Sequence, residues 1–424
     1  MKSLKRFFSR LIPQPVKNVF YHWPLAVFAN LVFGFPARGM TVIGVTGTNG
    51  KTTTTKLIAS ILSGSQKKVA YASTIEYGIG EQRWVNASKF TTSSAWRLQA
   101  FLSRAKKAGC THVVLETSSH SLDQFRTWGI PYAVAVITNV TREHLDYHGT
   151  MEAYRAAKKK LFDGVGWAIV NADMENPEEF SVKAPGRTVT YSTKDAGADV
   201  LASEIELDLS VTRFLALGSS FRISLPGLFN VENALAAIAA GQALGVDVET
   251  MRRSLASVAG IPGRMELVEN DRQLDILIDY AVTPDSFEKL YQAVKPMQIP
   301  GTSIIHVFGA CGERDRGKRR IMGRIASDNA DIIILTNEDP YHEDPERIID
   351  EIEAGVTKKK GETYFRIFDR REAIMKALML AEEGDIVLVT GKGAEETMAF
   401  GDVRVPWNEK SVIEGILREI QRSK

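Results

Sequence analysis

The chain has 424 residues, of which 44% are hydrophobic and 25% are charged, and its formal net charge is +2. This length suffices for two or three domains, and the composition is ordinary for a soluble globular protein, which excludes a fibrous or disordered chain. The two cysteines, Cys110 and Cys311, suggest neither a disulfide framework nor a zinc site. A reducing interior is therefore the expected environment.

Positive charge is concentrated at the start of the sequence. Ten Lys and Arg residues precede the first acidic residue, Glu76. Residues 1–38 are also rich in aromatic and aliphatic side chains. Their apolar stretch from Pro24 to Phe35 is too short to span a bilayer. No convincing signal-peptide cleavage site follows it. Two interpretations stay open: one or two helices packed on the main domain, or a segment lying on an anionic membrane surface.

The sequence GVTGTNGKTTTT lies between an apolar run and a helical pattern, which is the context of a phosphate-binding loop. Gly47 and Gly50 allow backbone N–H groups to turn toward an anion, and the following helix adds the positive end of its dipole. Lys51 supplies a charge for the outer phosphates, and the hydroxyl of Thr52 can bind Mg²⁺. Val45 stands where the general pattern has a further glycine, so only the second half of that pattern is present.

Short apolar runs alternate with helical patterns from Thr41 to about Ala259, which predicts an α/β domain with a mostly parallel sheet. The predicted strands are Val42–Thr46, Val69–Thr74, Val113–Thr117, Ala133–Asn139 and Trp167–Asn171. Ligands of such sheets bind at the carboxyl ends of the strands. Glu116 and His144 follow two of these strands, so we expect them to bind Mg²⁺ beside a triphosphate, directly or through water.

The predicted helix from Met151 to Phe162 places a lysine on its apolar face. At 100° per residue, Lys158 shares a face with Tyr154, Leu161 and Phe162. A buried lysine is costly unless it is neutralised, paired or chemically changed, and burial lowers its pKa. The resulting amine could react with CO₂ to give a carbamate, which is an anionic metal ligand. The simpler interpretation from these residues alone is a lysine whose ammonium reaches the surface.

A domain boundary is predicted near residues 260–263, where glycine and proline cluster before a second α/β alternation. Its predicted strands are Asp275–Tyr280, Ser303–Phe308, Asp331–Thr336, Tyr364–Phe368 and Asp385–Thr390. Polar residues again follow the strands, which predicts a second doubly wound domain facing the first. Before the boundary, an alanine-rich helix is predicted over Ala234–Leu244. Asn230 or Asn233 is expected to cap its start or to hydrogen-bond a purine.

Eight motifs together resemble the Mur ligase family: GTNGKTT, ETSSHSLDQFR, TNVTREHLDYHGTMEAYRAAKKKLF, GLFNVENALAA, PGRME, DYAVTPD, GERDRGKR and TGKGAEE. They occur in family order, and SSHSLDQFR and DYHGTMEAYRAAK favour the MurE branch, the muramoyl-tripeptide synthetases, over the folylpolyglutamate synthetases. The resemblance implies a P-loop-type central ATPase domain at residues 39–260 and a Rossmann-like C-terminal α/β domain at residues 261–424. Residues 1–38 would form a separate basic and aromatic segment.

The resemblance also implies an ATP-dependent carbon–nitrogen ligase with ATP and Mg²⁺ as cofactors. ATP phosphorylates the terminal carboxylate of a muramoyl dipeptide, and the amine of an incoming amino acid then displaces phosphate. Mg²⁺ and Lys51 are needed because two anions must be held together. We expect the third stem-peptide residue to be added, a diamino acid such as lysine or diaminopimelate.

Family positions carried onto this sequence define five sets of site residues. The implied catalytic residues are Lys51, Glu116, His144 and Lys158, and the metal ligands are Thr52, Glu116, His144 and a carbamylated Lys158. The implied ATP-binding residues are Gly47, Thr48, Asn49, Gly50, Lys51, Thr52, Thr53, Asn230, Asn233, Arg264 and Asp279. The implied acceptor-binding residues are Thr91, Thr92, Ser118, Gln124 and Arg126, and the implied amino-acid-binding residues are Arg314, Glu338, Asp339, Gly391 and Glu395.

Several positions depart from the family pattern. Val282 and Ala394 stand where histidine is usual, and Glu143 stands where aspartate is usual. Diaminopimelate-adding members usually read Asp-Asn-Pro-Arg, whereas this chain has Tyr341 in place of the arginine. That change removes a bidentate partner for a carboxylate, although another cation could serve. The family's leading domain, which grips uridine diphosphate, is replaced by residues 1–38, so the nucleotide is held differently or the muramoyl peptide arrives on another carrier such as a lipid.

Two alternatives to a MurE-type ligase stay open from the sequence. One is a related ligase acting on a lipid-linked or folate-like carboxylate. The other is a nucleotide-binding subunit of a cell-wall-modifying complex, against which the presence of Lys51, Glu116, His144 and Lys158 argues. We expect a cytoplasmic monomer that binds a muramoyl-peptide acceptor and a free amino acid but no nucleic acid. Peripheral contact with the inner face of the membrane through residues 1–38 is a further expectation.

Overall fold

The structure, a computed structural model, describes residues 13–86, 88, 90–181 and 187–422. Their contacts divide into two compact units. The first comprises the described residues of Met1–Ser203, Leu215–Phe221 and Glu232–Ser257, and the second comprises Glu204–Phe214, Arg222–Val231 and the described residues of Val258–Lys424. The domain boundaries expected at residues 38 and 260 stay predictions. The first twelve residues, including four of the basic ones, lie outside the described residues.

The first unit is built on a mostly parallel sheet, as predicted. Its strands are β1 (Thr41–Thr46), β2 (Val69–Ala72), β3 (Glu76–Ile79), β4 (Gln82–Val85), β5 (His112–Glu116), β6 (Tyr132–Ile137), β7 (Trp167–Asn171), β8 (Arg187–Ser192) and β9 (Val200–Leu201). Within the described residues their order is β4-β3-β2-β5-β1-β6-β7-β8-β9. Only the edge pairs β2–β3 and β3–β4 are antiparallel among the pairs of this sheet that the structure describes.

The apolar runs of the sequence form strands because they are buried on both faces. Val42, Ile43 and Val45 of β1 are completely buried, as expected for the centre of a parallel sheet. The helices of this unit lie at Gln14–Lys17, Asn18–His22 (π), Trp23–Phe33, Lys51–Gly64, Ala95–Lys107, Ser119–Asp123, Leu145–His148, Met151–Lys159, Lys160–Phe162 (3₁₀), Glu178–Ser181 and Val248–Ala256. The predicted strand Trp167–Asn171 has the observed bounds, whereas the strand predicted to end at Asn139 ends at Ile137, because Asn139 hydrogen-bonds the phosphate loop.

The alanine-rich helix starts earlier than predicted, at Leu228, and runs to Ala243. Asn230 and Asn233 therefore lie inside the helix, and the expectation that one of them caps it is wrong. Asn230 donates its Nδ2–H to the carbonyl of Pro226 at 2.7 Å, which is a bond to the preceding turn. Asn233 instead accepts a hydrogen bond at Oδ1 from the hydroxyl of Thr54 at 3.2 Å.

The second unit also has a doubly wound sheet. Before it, three short strands form a separate sheet: β10 (Ser203–Glu206), β11 (Thr212–Ala216) and β12 (Ser219–Ile223). The remaining strands are β13 (Glu266–Val268), β14 (Asp275–Asp279), β15 (Ile304–Phe308), β16 (Ile332–Leu335), β17 (Tyr364–Arg366), β18 (Ile386–Thr390), β19 (Thr397–Phe400) and β20 (Val403–Pro406). The larger sheet has the order β13-β14-β18-β15-β16-β17, in which only β13 is antiparallel to its neighbour, and β19 pairs with β20.

Helices cover both faces of the second sheet. They lie at Pro284–Val294, Lys295–Met297 (3₁₀), Gly317–Asn329, Pro345–Glu353, Arg370–Leu380 and Glu409–Arg422. Two separate apolar cores result, one around Phe287, Phe308 and Ile349 and the other around Ile374, Val387 and Ile413. All five strands predicted for this half are present, with ends that differ by one or two residues.

The N-terminal helix Trp23–Phe33 packs on the first unit. Ala26 and Ala29 are fully buried against Ala95 and Trp128. For the residues that the structure describes, this packing agrees with the interpretation of the N-terminal segment as helices packed on the main domain. No helix of the described residues combines the length and hydrophobicity that crossing a membrane requires.

Candidate active site

The phosphate loop connects β1 to the helix Lys51–Gly64 and depends on its two glycines. Gly50 precedes the helix with φ of 83°, a left-handed conformation that favours glycine. A Cβ on Gly50 would lie 2.2 Å from Oδ1 of Asn233, and one on Gly47 would lie 1.8 Å from the hydroxyl oxygen of Thr138. Both side chains therefore approach the loop backbone so closely that a Cβ at either position would displace one of them. Val45, which stands where the general pattern has a further glycine, is a buried residue of β1 and lies before the turn of the loop.

Replacing Gly50 by alanine should test this close approach. The left-handed φ alone costs about 1–2 kcal/mol for an alanine. Gly164 has φ of 76° with no atom within 4 Å of a Cβ, so Gly164→Ala reports that strain by itself. We expect Gly50→Ala to lower the free energy of unfolding further and to weaken ATP binding about tenfold or more, by titration with a fluorescent ATP analogue. If both variants lose the same stability and bind ATP equally, the contact with Asn233 does not matter.

Lys51 and Lys158 both direct their amines at the same loop carbonyl. Lys51 donates to the carbonyl oxygens of Gly47 at 3.1 Å and Thr48 at 2.7 Å. Lys158, from the helix Met151–Lys159, donates to the carbonyl oxygen of Gly47 at 2.6 Å. The two amines are thus held at the loop where an anion would bind.

Lys158 is buried, with 1% of its surface exposed, so the interpretation that its ammonium reaches solvent is wrong. Its amine lies 4.4 Å from the ring centre of Tyr154. Burial lowers the pKa of the Lys158 amine well below its ordinary value, the charge of Lys51 lowers it further, and Glu143 opposes the shift. The neighbours Lys159 and Lys160 are more exposed and pair with Glu179 and Asp123. The helix therefore presents one amine, in a form suited to react with CO₂.

Thr52 and Glu116 form a pair of oxygen donors at the start of the loop helix. The Thr52 hydroxyl donates to Oε2 of Glu116 at 3.0 Å. Thr74 holds the carboxylate from the other side, through its backbone N–H at 2.7 Å and its hydroxyl at 2.9 Å. Glu116 is 3% exposed and ends β5 directly beside Val45 of β1, so the sheet register places it at the loop.

These oxygens fit the chemistry of Mg²⁺. Among the described residues, no three His, Cys, Asp or Glu side chains could bind a metal ion by themselves. A protein hydroxyl and one carboxylate are nevertheless a common pair of ligands for Mg²⁺, which takes its other ligands from phosphates and water. Of the four predicted metal ligands, Thr52 and Glu116 are in contact, whereas Lys158 reaches the same loop at Gly47.

His144 lies in a cluster of aromatic rings beside the loop. Its ring centre is 4.7 Å from that of His120 and 6.1 Å from that of Tyr154, whose hydroxyl is 3.1 Å from the hydroxyl of Thr48. Burial, together with the neighbouring charges of His120, Lys51 and Lys158, lowers the pKa of His144 to about 2. Burial likewise lowers the pKa of His120 to about 4. Both rings are therefore neutral at physiological pH and can act as hydrogen-bonding groups or ligands.

Four of the five predicted acceptor-binding residues form one network. The Thr92 hydroxyl donates to the carbonyl of Glu116 at 2.9 Å and accepts from the N–H of Ser118 at 3.0 Å. Arg126 donates to the carbonyl of Thr92 at 3.0 Å and to Oε1 of Gln124 at 2.9 Å. Thr91 is partly exposed beside Thr92. The network connects a guanidinium, suited to a carboxylate, with the backbone of Glu116.

The remaining phosphate-loop residues also make defined contacts. The N–H of Asn49 donates to Oδ1 of Asn139 at 2.9 Å, and the Thr48 hydroxyl lies 3.3 Å from the carbonyl of Thr141. Thr53 is buried in the first turn of the helix. The loop is therefore held by the segment that follows β6.

In the second unit, Arg264 and Asp279 lie together. The guanidinium of Arg264 is 4.6 Å from the ring centre of Tyr280. Asp279 accepts hydrogen bonds from the N–H groups of Met265 at 2.8 Å and Ala281 at 2.7 Å. Burial raises the pKa of Asp279, and Arg264 opposes that shift. Asn230, also in this unit, donates from its side-chain amide to the carbonyl of Pro226 in the turn before its helix, as described above.

Glu338, Asp339, Gly391 and Glu395 also form one group. Oε1 of Glu338 accepts from the thiol of Cys311 at 2.8 Å, and a Cβ on Gly391 would lie 2.6 Å from Oε2 of Glu338. Oε2 is buried and has no hydrogen-bond partner among the described residues. Lys392 bridges Asp339 at 2.8 Å and Glu395 at 2.5 Å.

Arg314 lies beside this group through Tyr341. The ring centre of Tyr341 is 5.9 Å from the guanidinium carbon of Arg314 and 5.0 Å from that of Arg404. Two guanidinium groups therefore lie near the residue that replaces the family arginine. Val282 and Ala394, the other replaced positions, contribute backbone: Val282 donates its N–H to Ser286 at 3.1 Å, and the N–H of Ala394 lies against Gly263.

Two family models match the chain. Residues 45–241 match the Mur ligase middle domain, and residues 263–393 match the Mur ligase glutamate ligase domain. Over 420 residues the chain is 40% identical to the UDP-N-acetylmuramyl-tripeptide synthetase of Roseiflexus sp. strain RS-1, covering 93% of this chain and 82% of that protein. The chain belongs to the Mur ligase family. Members of this family are ATP-dependent ligases that form amide bonds, and the resemblance noted in the sequence is thereby confirmed.

Further relatives place the chain near the MurE type within the Mur ligases. The UDP-N-acetylmuramoyl-L-alanyl-D-glutamate–2,6-diaminopimelate ligase of Geobacillus thermodenitrificans strain NG80-2 is 37% identical over 408 residues, covering 93% of this chain and 82% of that protein. A solved structure of a ligase of the same name is 34% identical, with a TM-score of 0.64, and the match covers 91% of this chain and 79% of that one. A folylpolyglutamate synthase structure from Mycobacterium tuberculosis, at 16% identity and a TM-score of 0.71 over 87% of this chain and 92% of that one, shares the fold.

Several residues of this site were not predicted from the sequence. They are Thr74, His120, His148 and Tyr154 in the first unit and Cys311, Tyr341, Lys392 and Arg404 in the second. His120 and Lys392 lie inside motifs that the sequence singles out, so their position next to predicted site residues was the available signal. Thr74 and Arg404 carried no such signal.

Proposed function

We propose that this chain adds a diamino acid to the D-glutamate carboxylate of a muramoyl-L-alanyl-D-glutamate acceptor, using ATP and Mg²⁺. The acceptor and the position of the new residue follow the names of the relatives above. The observation that carries the proposal is the meeting of a buried amine, Lys158, and a phosphate-loop lysine, Lys51, at the Gly47 carbonyl, next to the Thr52–Glu116 pair. No ordinary structural role requires two amines and a carboxylate at one glycine-rich loop.

The proposed reaction proceeds in two balanced steps. A carboxylate oxygen of the acceptor attacks the γ-phosphorus of ATP, which gives an acyl phosphate and ADP. The amine of the incoming amino acid then attacks the acyl carbon, loses a proton, and inorganic phosphate leaves. Mg²⁺, when bound, would neutralise phosphate charge during the first step.

The chain's own residues supply binding and charge for these steps. Lys51 moves from the loop carbonyls to the outer phosphates, and the loop N–H groups hold the others. Thr52 and Glu116 provide the oxygen ligands for the metal, and a carbamate on Lys158 would add a third anionic oxygen group near the loop. Neutral His144 is proposed as a further ligand, directly or through water. Arg126, with Thr92, Ser118 and Gln124, orients the acceptor.

The group around Glu338 is proposed to receive the incoming amino acid. Oε2 of Glu338 is a buried acceptor without a partner among the described residues, and burial raises the pKa of this carboxyl, opposed by Lys392. An ammonium group on the substrate would satisfy that oxygen. Arg314 and Arg404, both near the ring of Tyr341, are cations able to bind a substrate carboxylate in place of the family arginine.

Replacing Glu338 by glutamine tests this assignment. A hydrogen bond to a charged group contributes about 1.5–3 kcal/mol, so the KM for a diamino acid should rise about tenfold to a hundredfold. The KM for ATP should stay unchanged. Glu362→Gln, which alters an exposed carboxylate of the same unit, serves as the control. An unchanged KM for lysine and diaminopimelate in Glu338→Gln would remove Glu338 from the amino-acid site.

A substrate panel tests the function as a whole. ATP-dependent phosphate release is measured with candidate amino acids and with muramoyl-L-alanyl-D-glutamate supplied on uridine diphosphate or on a lipid carrier. Phosphate release that requires the muramoyl-L-alanyl-D-glutamate acceptor and occurs only with diamino acids supports the proposal. The form of the acceptor that reacts better identifies the carrier. Release only with a folate-like carboxylate, or none with any acceptor, would reject it. We also propose that the enzyme is a cytoplasmic monomer that contacts the inner face of the membrane.

A further inference from the structure

The helix Trp23–Phe33 and the turn before it have an unusual distribution of side chains. Residues 18–37 contain no Asp, Glu, Lys or Arg. A helix on a protein surface normally carries charged residues on its outer face. The outer face of this helix therefore consists of side chains other than Asp, Glu, Lys and Arg.

Small and polar residues occupy the inner face. Ala26 and Ala29 are completely buried, and Asn30 is 1% exposed. Asn30 donates through Nδ2 to the carbonyls of Ala26 at 2.9 Å and Trp128 at 2.8 Å. Asn18 donates to Oδ2 of Asp123 at 2.7 Å. These directional bonds fix which face of the helix turns inward, so the exposure of the other face is built into the fold.

Large apolar side chains occupy the outer face. The exposed fractions are 79% for Phe20, 64% for Tyr21, 56% for Phe28, 63% for Leu31 and 52% for Val32. Trp96 of the helix Ala95–Lys107 extends this surface: it is 41% exposed and its ring centre lies 6.1 Å from that of Phe28, with the rings nearly parallel. We call these six residues the aromatic face. An exposed apolar surface of this kind marks an interaction site.

The charges around the aromatic face are positive. Lys17 precedes it, Arg38 follows it with its carbonyl bound by the amine of Lys106 at 3.1 Å, and Arg97 is exposed next to Trp96. In the sequence, four more basic residues stand within the first ten positions. The acidic neighbour, Asp123, is bound by Asn18 and by Lys160 at 2.8 Å. The occupant should therefore combine an apolar surface with negative charge.

An anionic lipid bilayer has this combination, and a second copy of the chain does not, because pairing two such faces would bring their basic residues together. Aromatic side chains favour the boundary between headgroups and acyl chains, and basic residues are attracted to anionic headgroups. We propose that the aromatic face docks the protein on the surface of an anionic membrane, with the helix lying in the interface. This gives the membrane contact included in the proposed function a defined surface, and it does not depend on the ligase reaction.

The test compares the full chain with a triple variant of the aromatic face, Phe20→Ser, Phe28→Ser and Leu31→Ser. All three side chains are exposed, so folding should be unaffected, which circular dichroism checks. The control carries Ile299→Ser, Met379→Ser and Val403→Ser, which are exposed at 55%, 67% and 62% in the second unit. Each protein is sedimented with vesicles of phosphatidylglycerol and phosphatidylcholine mixed, and with vesicles of phosphatidylcholine alone.

We expect the original chain and the control to bind the anionic vesicles and the triple variant to bind at least about tenfold more weakly, since stable anchoring needs both apolar and electrostatic contributions. Binding should weaken with salt and on neutral vesicles. Amide formation with a water-soluble acceptor should be equal in all three proteins, so failure of docking and failure of the ligase proposal give different results. Equal binding of the triple variant would overturn the inference. A concentration-dependent dimer that this variant abolishes would overturn it too.

Discussion

Lys158→Ala is expected to abolish amide formation while leaving the protein folded. If the carbamate of Lys158 carries negative charge to the metal and phosphates, its removal should lower kcat by about 10³-fold or more. The amine is buried at the Gly47 carbonyl, and its pKa is lowered by burial and by Lys51, so the neutral amine needed to react with CO₂ is accessible near physiological pH. The measurement is phosphate release and product formation under saturating ATP.

Rescue experiments separate this chemical role from a structural one. Alanine leaves a space that acetate or propionate can enter, so millimolar concentrations of short carboxylates should restore part of the activity in Lys158→Ala. Lys158→Met fills the same space without an amine and should not be rescued. Lys159→Ala, which removes the neighbouring amine bonded to Glu179, should keep full activity. Incubation with ¹³C-labelled CO₂ should give a carbamate resonance that both Lys158 variants lack; full activity in Lys158→Ala would remove this residue from the mechanism.

Patterns that depend on burial were readable from the sequence. The apolar runs identified five of the nine strands described for the first sheet and five of the six described for the second, because strands of a parallel sheet are buried on both faces. Helical periodicity placed Lys158 on the same face as Tyr154 and Phe162, and the structure buries all three. The chemistry of that lysine needed the family resemblance as well, since the residues alone favoured an amine reaching solvent.

Contacts between distant segments were not readable in the same way. Thr74 binds Glu116 and Arg404 approaches Tyr341 only because the chain folds back, and neither residue belongs to a motif. The capping prediction for Asn230 and Asn233 failed for a local reason: the helix begins at Leu228, before both residues and before the alanine-rich run that marked it. The helix propensity of the alanines located the helix, but residues 228–233 are also helical, so the helix starts earlier than the alanines indicate.

Glu116→Gln is expected to have the second large effect, on the requirement for metal. Glutamine keeps the shape of the side chain and can accept the hydrogen bond from the Thr74 N–H through its carbonyl oxygen, so the fold around β5 should persist. It removes the negative charge beside the Thr52 hydroxyl, which donates to the same oxygen, Oε2, as the Thr74 N–H. The amide NH₂ then replaces Oε1, so the Thr74 hydroxyl must turn to accept a hydrogen bond there. With one fewer anionic oxygen, the Mg²⁺ concentration for half-maximal activity should rise and kcat should fall by about 10²–10³-fold.

The magnesium dependence distinguishes a metal ligand from a residue that merely supports the loop. Loss of loop support would weaken ATP binding at every Mg²⁺ concentration, whereas loss of a ligand should be partly offset by high Mg²⁺. Glu76→Gln provides the control, because Glu76 is a partly buried carboxylate of the same sheet that pairs with Lys56 at 2.7 Å and is not a predicted metal ligand. We expect this control to keep the original metal dependence. An unchanged Mg²⁺ requirement in Glu116→Gln would contradict its role as a ligand, and the Thr52–Glu116 bond would then serve only to fix the start of the helix.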